Sequence, residues 1–572
     1  MPESIRDTYN RWVNNISGDL LEELISVKDD ESAINERFYR RLKFGTGGLR
    51  GVIGVGTNRM NVHTVGLASQ ALADWLNCGN SAVSGKSVAI AYDSRNKSEE
   101  FSKTTACVLA ANGIRVYLFS CLTPTPMLSY AVRELGCSAG VVITASHNPA
   151  KYNGYKCYGA DGCQLTDKSA GEVETYSDRL DIFDDVKSGD FDELLEQDII
   201  RYIDERLTKK YLNRVLACAA EPQAARKAGL RVVYTPLCGT GNKPVREILR
   251  RIGVDVRVVT EQEQPDGTFP RCPRPNPENR EAFDAALELA EELIKKNEAA
   301  DLLLATDPDC DRVGIAVRDT ADGGKYTLMS GNEVGALMLN YLLSRRKENG
   351  TLPEKPRAVK TIVTTALAER ICKEYDCELI TCLTGFKYIG EIIGELEKNG
   401  EEESFILGFE ESYGYLGGTY ARDKDAVYAS MIICEMAAYY KSLGKTLYDV
   451  MRELYERYGY YINSQISTEF EGQAGAERIS EIMTKLREDK PNIIENIKVV
   501  EVFDYLGAAA ESANLPKSNI IEFICADSSV LTVRPSGTEP KIKFYLTAAG
   551  ATPELSRQRI DELSRFIQAI VN

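Results

Sequence analysis

Histidine is nearly missing from this chain: in 572 residues only His63 and His147 carry an imidazole. Chemistry that needs an imidazole to manage a proton therefore has two residues to draw on. No apolar run approaches the roughly 18 residues of a membrane-spanning helix, which excludes such a span. The fifteen cysteines contain no Cys-x-x-Cys pair, and an odd number cannot pair completely, so reduced thiols fit better than a disulfide framework. Cys372, Cys377 and Cys382 fall five apart with no histidine beside them, which argues against zinc. The opening Met1-Pro2-Glu3-Ser4-Ile5-Arg6-Asp7 is acidic and polar where a secretory leader would be basic and then apolar, so the expected location is the cytoplasm. Positive charge is in deficit, 69 Lys and Arg against 85 Asp and Glu, a formal −16. With no block of Lys and Arg interleaved with aromatics, the chain is not expected to bind nucleic acid. Any anionic ligand must be held by a local basic pocket.

What is present is strand followed by helix, repeatedly. At roughly 150 residues per domain the length allows three to five domains. Residues 4–41 are amphipathic and charged, a helical pattern, and end at Phe44-Gly45-Thr46-Gly47-Gly48-Leu49-Arg50-Gly51, where four glycines predict a loop. Strand-like Ser87 to Tyr92, a helical stretch from Ser98 to Asn112 and strand-like Ile114 to Phe119 follow, the signature of α/β units. Strands also run through Leu230 to Tyr234, Asp301 to Thr306 and Ser404 to Gly408. A helical connection is expected from Ser188 to Glu205, with further breaks near Gly323-Gly324 and between Gly459 and Ser467. These divide the chain into 1–210, 211–325, 326–460 and 461–572. The last segment mixes helical Ala474 to Arg487, strands near 520–523, 530–533 and 542–546, and a helix from Pro553, an α+β pattern.

Four polar segments stand out at strand ends. Gly140 to Ile143 is a buried-strand run that stops at Thr144-Ala145-Ser146-His147-Asn148-Pro149, displaying a hydroxyl beside an imidazole. In Asp307-Pro308-Asp309-Cys310-Asp311-Arg312 the carboxylates alternate, so an extended loop points all three to one side. Oxygen-only ligation of that kind suits Mg²⁺ better than zinc. An EF-hand is excluded, because Arg312 and Arg318 stand where its glycine and bidentate glutamate belong. Arg534-Pro535-Ser536-Gly537-Thr538 gathers a guanidinium, hydroxyls and a glycine amide into a phosphate cradle. Glu410 and Ser412, in Gly408-Phe409-Glu410-Glu411-Ser412-Tyr413-Gly414, suit sugar hydroxyls, and Lys387, Arg422 and Lys424 add positive charge. Taken singly, each segment also reads as an ordinary polar turn or a solvated surface.

Together, in this order and spacing, the four segments resemble the signatures of the α-D-phosphohexomutases, over nearly the whole chain. The Glu-Glu-Ser-Tyr-Gly-Tyr form of the third segment is most like the branch holding the bacterial phosphoglucomutases and the phosphopentomutases. Phosphomannomutase-type members often have Gly-His where this chain has Gly414-Tyr415. The resemblance implies an α/β protein of four domains around a central cleft, three with similar mixed sheets and a fourth α+β. It implies an enzyme in which phosphorylated Ser146 exchanges its phosphoryl group with a sugar phosphate through a bisphosphate. The expected reaction interconverts glucose 1-phosphate and glucose 6-phosphate, with glucose 1,6-bisphosphate as intermediate and activator. Mannose phosphate, pentose phosphates and glucose-1,6-bisphosphate synthesis stand behind it. Ser146, Asp307, Asp309 and Asp311 would bind Mg²⁺, with Arg50, His147 and Lys156 at the chemical centre, the last two exchanging the sugar hydroxyl's proton. Arg312, Lys387, Glu410, Ser412, Arg422 and Lys424 would bind the sugar phosphate, and Arg534, Ser536, Gly537 and Thr538 the phosphate that is not reacting. Two other readings compete. Asp307 as the nucleophile of a haloacid-dehalogenase-type phosphatase meets Asp311 where Thr or Val is usual. A sugar-phosphate sensor would keep the Arg534 cradle and dispense with Ser146.

Overall fold

A single strand arrangement recurs three times along the chain. The computed structural model describes residues 4–45, 47–78, 85–319, 323–470, 472–507, 515–536 and 541–571. In the first sheet Ser87–Tyr92 lies between Arg115–Leu118 and Ala139–Ile143, all parallel, and Tyr152–Gly159 returns antiparallel beside Ala139–Ile143. In the second, Arg231–Thr235 lies between Asp255–Val258 and Leu302–Thr306, and Val313–Asp319 returns antiparallel. In the third, Arg357–Thr361 lies between Glu378–Cys382 and Phe405–Glu410, and Gly414–Leu416 returns antiparallel. The loop between the third parallel strand and its return holds Ser146, the aspartate cluster or Ser412, which lies just beyond Glu410 at its strand's end. Loops at the carboxyl ends of such strands are where α/β sheets bind ligands.

Local sequence accounts for these elements. Ala139–Ile143, Leu302–Thr306 and Phe405–Glu410 are buried along their whole length, as strands covered by helices on both faces must be. The fourth domain is a six-stranded antiparallel sheet, from Tyr460–Glu469 to Lys541–Gly550, with helices Gly472–Glu488 and Pro553–Val571. One continuous buried cluster includes Val142 and Tyr158 of the first domain, Val232 and Leu302 of the second, and Val334 and Ile406 of the third. The fourth has a core of its own around Phe523, Leu531 and Phe544.

Several expectations are corrected. The glycine-rich segment is a strand, Gly48–Val52, antiparallel to Tyr152–Gly159. A Cβ on Gly48 would sit 2.0 Å from the Tyr155 carbonyl oxygen, so glycine there permits strand pairing instead of forbidding it. The Ser188 to Glu205 stretch is not one helix: Phe191–Glu196 is a short helix and Ile200–Tyr202 the edge strand of the first sheet. The boundary at 210 falls inside helix Glu205–Ala217. The break after 458 shrinks to Gly459, at φ +102, between helix Leu447–Tyr458 and strand Tyr460–Glu469. Residues 4–41 form three helices, Ile5–Asn15, Gly18–Ser26 and Glu31–Phe38.

Candidate active site

The three hairpin loops share a backbone device: each carries a non-glycine residue in the left-handed region, Ser146 at φ +51, Cys310 at +54 and Tyr413 at +67. Such residues persist only where surrounding contacts hold them, and they concentrate at functional sites. Ser146 is buried, and its N–H donates to Thr144 Oγ1 at 2.8 Å. Its Oγ donates to Asp307 Oδ2 at 2.7 Å and lies 3.1 Å from His147 Nδ1. The first and second domains therefore meet at this hydroxyl. Burial, with the Arg312 and Arg50 charges added, holds the His147 imidazole well below its usual pKa, so it is neutral at pH 7. Arg50 joins the loop through Asn148 Oδ1, at 3.0 Å.

Asp307, Asp309 and Asp311 are all buried, and one carboxylate oxygen from each lies within 4.8 Å of the others. Asp307 Oδ1 is fixed by the N–H groups of Asp311 and Arg312, at 3.1 and 3.0 Å. Lys156 Nζ donates to Asp309 Oδ2 at 2.8 Å and Asp311 Oδ2 at 3.3 Å, and Lys424 Nζ lies 3.0 Å from Asp311 Oδ2. Asp309 Oδ1 and Asp311 Oδ1 are buried with no hydrogen-bond partner among the described residues. Orphaned carboxylate oxygens converging in one buried loop fit a hard divalent cation. Burial, with the Asp309 and Asp311 charges, raises Asp307 well above the usual carboxylate range. Burial also works to raise Asp311, but Lys424, Lys156 and Arg312 overcome it and hold that carboxylate below. Burial opposes the Lys156 charge, and Asp309 and Asp311 outweigh it.

Glu410 is buried at the end of its strand and accepts from Ser412 Oγ at 2.9 Å. The Tyr413 carbonyl of this loop accepts from Val313 N at 3.2 Å, and the Cys310 carbonyl from Ala426 N at 3.3 Å, which joins the sugar loop to the aspartate loop. Arg312 reaches Glu278 Oε1 at 2.7 Å. Lys387 is committed to Asp167 of the first domain, at 2.7 Å. Arg422 does not join the site: its guanidinium is fully enclosed, bonding Glu397 Oε2 at 2.6 Å and the carbonyls of Thr419 and Ala421. It is a structural cation, whereas the neighbouring Lys424 turns toward the aspartates, as Lys156 does.

In the fourth domain Arg534 pairs across the sheet with Lys543, so both share one face. Burial lowers the Lys543 ammonium pKa, and Glu278, Glu411, Arg312 and Arg534 are all near enough to act on it. This face thus looks toward Glu411 of the sugar loop. Ser536 N donates to the Lys541 carbonyl at 2.7 Å; Gly537 and Thr538 lie outside the described residues. Sequence reading missed Lys543, and also Thr125, whose N–H and Oγ1 meet the Asp309 carbonyl and Oδ2, both at 2.9 Å. It missed the acceptors Asp423 and Asp425, which take the Tyr158 and Tyr211 hydroxyls, each at 2.7 Å. The register opposite Arg534 was the one sequence signal for Lys543; the others depend on contacts between domains.

Residues 41–181, 209–323 and 330–458 match, in turn, alpha/beta/alpha domains I, II and III of Phosphoglucomutase/phosphomannomutase. A phosphoglucomutase of Staphylococcus haemolyticus is 37% identical over 520 residues, 89% of this chain and 91% of that one. One from Staphylococcus aureus strain USA300 is 35% identical over 573 residues, 98% of each chain. Among solved structures, a phosphoglucomutase/phosphomannomutase family protein of Burkholderia thailandensis superposes with TM-score 0.66 at 18% identity, covering 92% of this chain and 97% of its own. The open form of a Paramecium phosphoglucomutase, pp63/parafusin, gives 0.68 at 17%, covering 93% and 95%. Those two share the fold; the staphylococcal enzymes share sequence across almost the full length. The chain belongs to the phosphoglucomutase/phosphomannomutase family, the α-D-phosphohexomutases, and is an enzyme of intramolecular phosphate transfer.

Proposed function

We propose that this enzyme interconverts glucose 1-phosphate and glucose 6-phosphate, with Ser146 as the phosphoryl carrier and glucose 1,6-bisphosphate as the intermediate. The observation that carries the reading is the 2.7 Å contact of Ser146 Oγ with Asp307 inside a buried triad of carboxylates. Asp307, Asp309 and Asp311 would hold Mg²⁺, and when bound it supplies neutralisation of the charge that develops on the transferring phosphoryl group. Lys156 and Lys424 bring two ammonium groups to the same carboxylates, so positive charge already surrounds the place where a phosphoryl group would sit. His147 Nδ1, neutral and within reach of Ser146 Oγ, is placed to take the serine proton as the hydroxyl receives a phosphoryl group and to return it when that group leaves. Lys156, engaged with two carboxylates, serves this arrangement by its charge. Glu410 and Ser412 would take sugar hydroxyls, with Arg534, Ser536, Gly537, Thr538 and Lys543 receiving the distal phosphate.

Glucose is favoured as the sugar because the relatives alike over almost their whole length are phosphoglucomutases and because Tyr415 follows Gly414. The test is incubation with glucose 1,6-bisphosphate, mass mapping of the phosphorylated peptide, and specificity constants for glucose, mannose and ribose 1-phosphates. Phosphate on Ser146 and a highest constant for glucose 1-phosphate are expected. A hydroxylamine-labile phosphate on Asp307, or a higher constant for ribose or mannose, overturns the assignment.

A further inference from the structure

The left-handed conformation of Ser146 is held by groups that lie outside its own hairpin. Arg95 stands just beyond Ser87–Tyr92, the parallel neighbour of the serine strand, and its side chain is completely buried. One terminal guanidinium nitrogen donates to the carbonyls of Ser146 and Asn148, and the other to those of Pro149 at 3.0 Å and Tyr152 at 3.1 Å. Four carbonyls of the serine loop therefore converge on one planar cation. Arg95 Nε lies 3.4 Å from Asp93 Oδ2. That same carboxylate oxygen accepts from Thr144 Oγ1 at 2.6 Å, and Thr144 Oγ1 accepts the Ser146 N–H. The Asp93–Arg95 pair thus fixes both main-chain polar groups of Ser146, the carbonyl directly and the N–H through Thr144. The second domain backs the clamp. The Phe269 ring centroid lies 5.0 Å from Arg95 Cζ, and Gly267 approaches so closely that a Cβ there would lie 2.5 Å from Asn96 N.

We propose that Arg95, oriented by Asp93 and backed by Phe269, is a positioning residue that sets Ser146 Oγ against Asp307, so that it governs the rate of phosphoryl transfer and not the binding of sugar phosphate. The kinetic part rests on Ser146 being the phosphoryl carrier. Only a planar fork spans four acceptors; a lysine keeps the charge as a single point and leaves carbonyls unpaired.

Arg95→Lys is the test, with Phe269→Leu as a milder variant that leaves the fork intact and removes its aromatic backing. Hydrogen exchange of the 144–152 amides should speed up by about tenfold or more in Arg95→Lys, with the helices of the third and fourth domains unchanged. Single-turnover transfer of labelled phosphate from Ser146 to glucose 1-phosphate should slow by about 30-fold or more, with the dissociation constant for glucose 1-phosphate within about twofold, because misplacement costs rate before it costs binding. Phe269→Leu should show the same pattern on a smaller scale, and it decides the matter if Arg95→Lys does not fold. Unchanged exchange in the serine loop, or a loss confined to sugar-phosphate binding, overturns the proposal. If the wild-type protein takes no phosphate on Ser146, the functional reading fails, and loop exchange alone then accepts or rejects the clamp.

Discussion

Ser146 gains its chemistry from what faces it, because a serine hydroxyl alone is a weak nucleophile. Ser146→Ala keeps the neighbouring Thr144 contact, which uses the backbone N–H, and removes only the oxygen between Asp307 and His147. The expected result is a fall in kcat of about 10³ or more, with loss of label from glucose 1,6-bisphosphate and little change in thermal stability. Steady-state kinetics and intact mass check this. The aspartate loop makes a separate demand: two buried carboxylate oxygens without a hydrogen bond among the described residues call for a cation. Chelation should abolish turnover and added Mg²⁺ should restore it, and activity in excess chelator with metal absent by elemental analysis would contradict this. These residues were legible because their chemistry is written locally, a hydroxyl at a strand end and carboxylates at alternate positions. Arg422 was not, since a guanidinium in sequence does not reveal whether it meets a ligand or, as here, Glu397 and two carbonyls.

At the scale of elements, the long buried helix Ala426–Ser442 packs the third domain onto the second and carries an unusual internal charge. Glu435 is buried, accepts at Oε1 from Ala220 N and the Tyr341 hydroxyl, both at 3.0 Å, and leaves Oε2 without a hydrogen bond among the described residues. Burial pushes its pKa up to about 7 from 4.5. The folded state thus holds this proton more tightly than the unfolded chain. Its stabilising contribution is fully present below pH 4.5 and is lost as the pH rises through about 7. Glu435→Gln removes the charged form, so the variant should melt higher than wild type at pH 8, by at least about 2 °C, with the difference shrinking toward pH 5. Calorimetry at the two pH values decides it; a constant difference would show that the carboxylate is not titrating in this range. Strands such as Ala139–Ile143 and Leu302–Thr306 were readable from their apolar runs, and the helix from Pro553 from its periodicity. The strand Gly48–Val52 was not, because its glycines are explained only by the backbone of Tyr155, brought alongside from far along the chain.

Across the whole molecule the parts of the site are anchored unequally. The serine, aspartate and sugar loops belong to domains joined by one continuous buried cluster, so their mutual distances are set by packing. The fourth domain has its own core and follows the third through the single residue Gly459, touching the fused body through Tyr461, at the margin of the shared cluster, and a small patch around Leu383, Tyr505 and Ile520. Four domains and their order followed from the breaks in the sequence together with the family resemblance, but this division into a fused body and an appended lobe did not, because it depends on which apolar faces meet. It separates two functions that a single variant can test. Arg534 and Lys543 stand on the lobe, opposite Glu411 and Arg312, while Ser146 and the aspartates stand wholly in the fused body. Arg534→Ala removes a forked charged donor whose hydrogen bonds to an anion are worth about 1.5–3 kcal/mol, so KM for glucose 1-phosphate should rise about tenfold or more. Phosphorylation of Ser146 by high concentrations of glucose 1,6-bisphosphate should persist, since nothing in the fused body has changed. A variant that keeps its KM and can no longer be phosphorylated would place Arg534 at the chemical centre, and the lobe would then be part of the reacting site instead of the anchor for the distant phosphate.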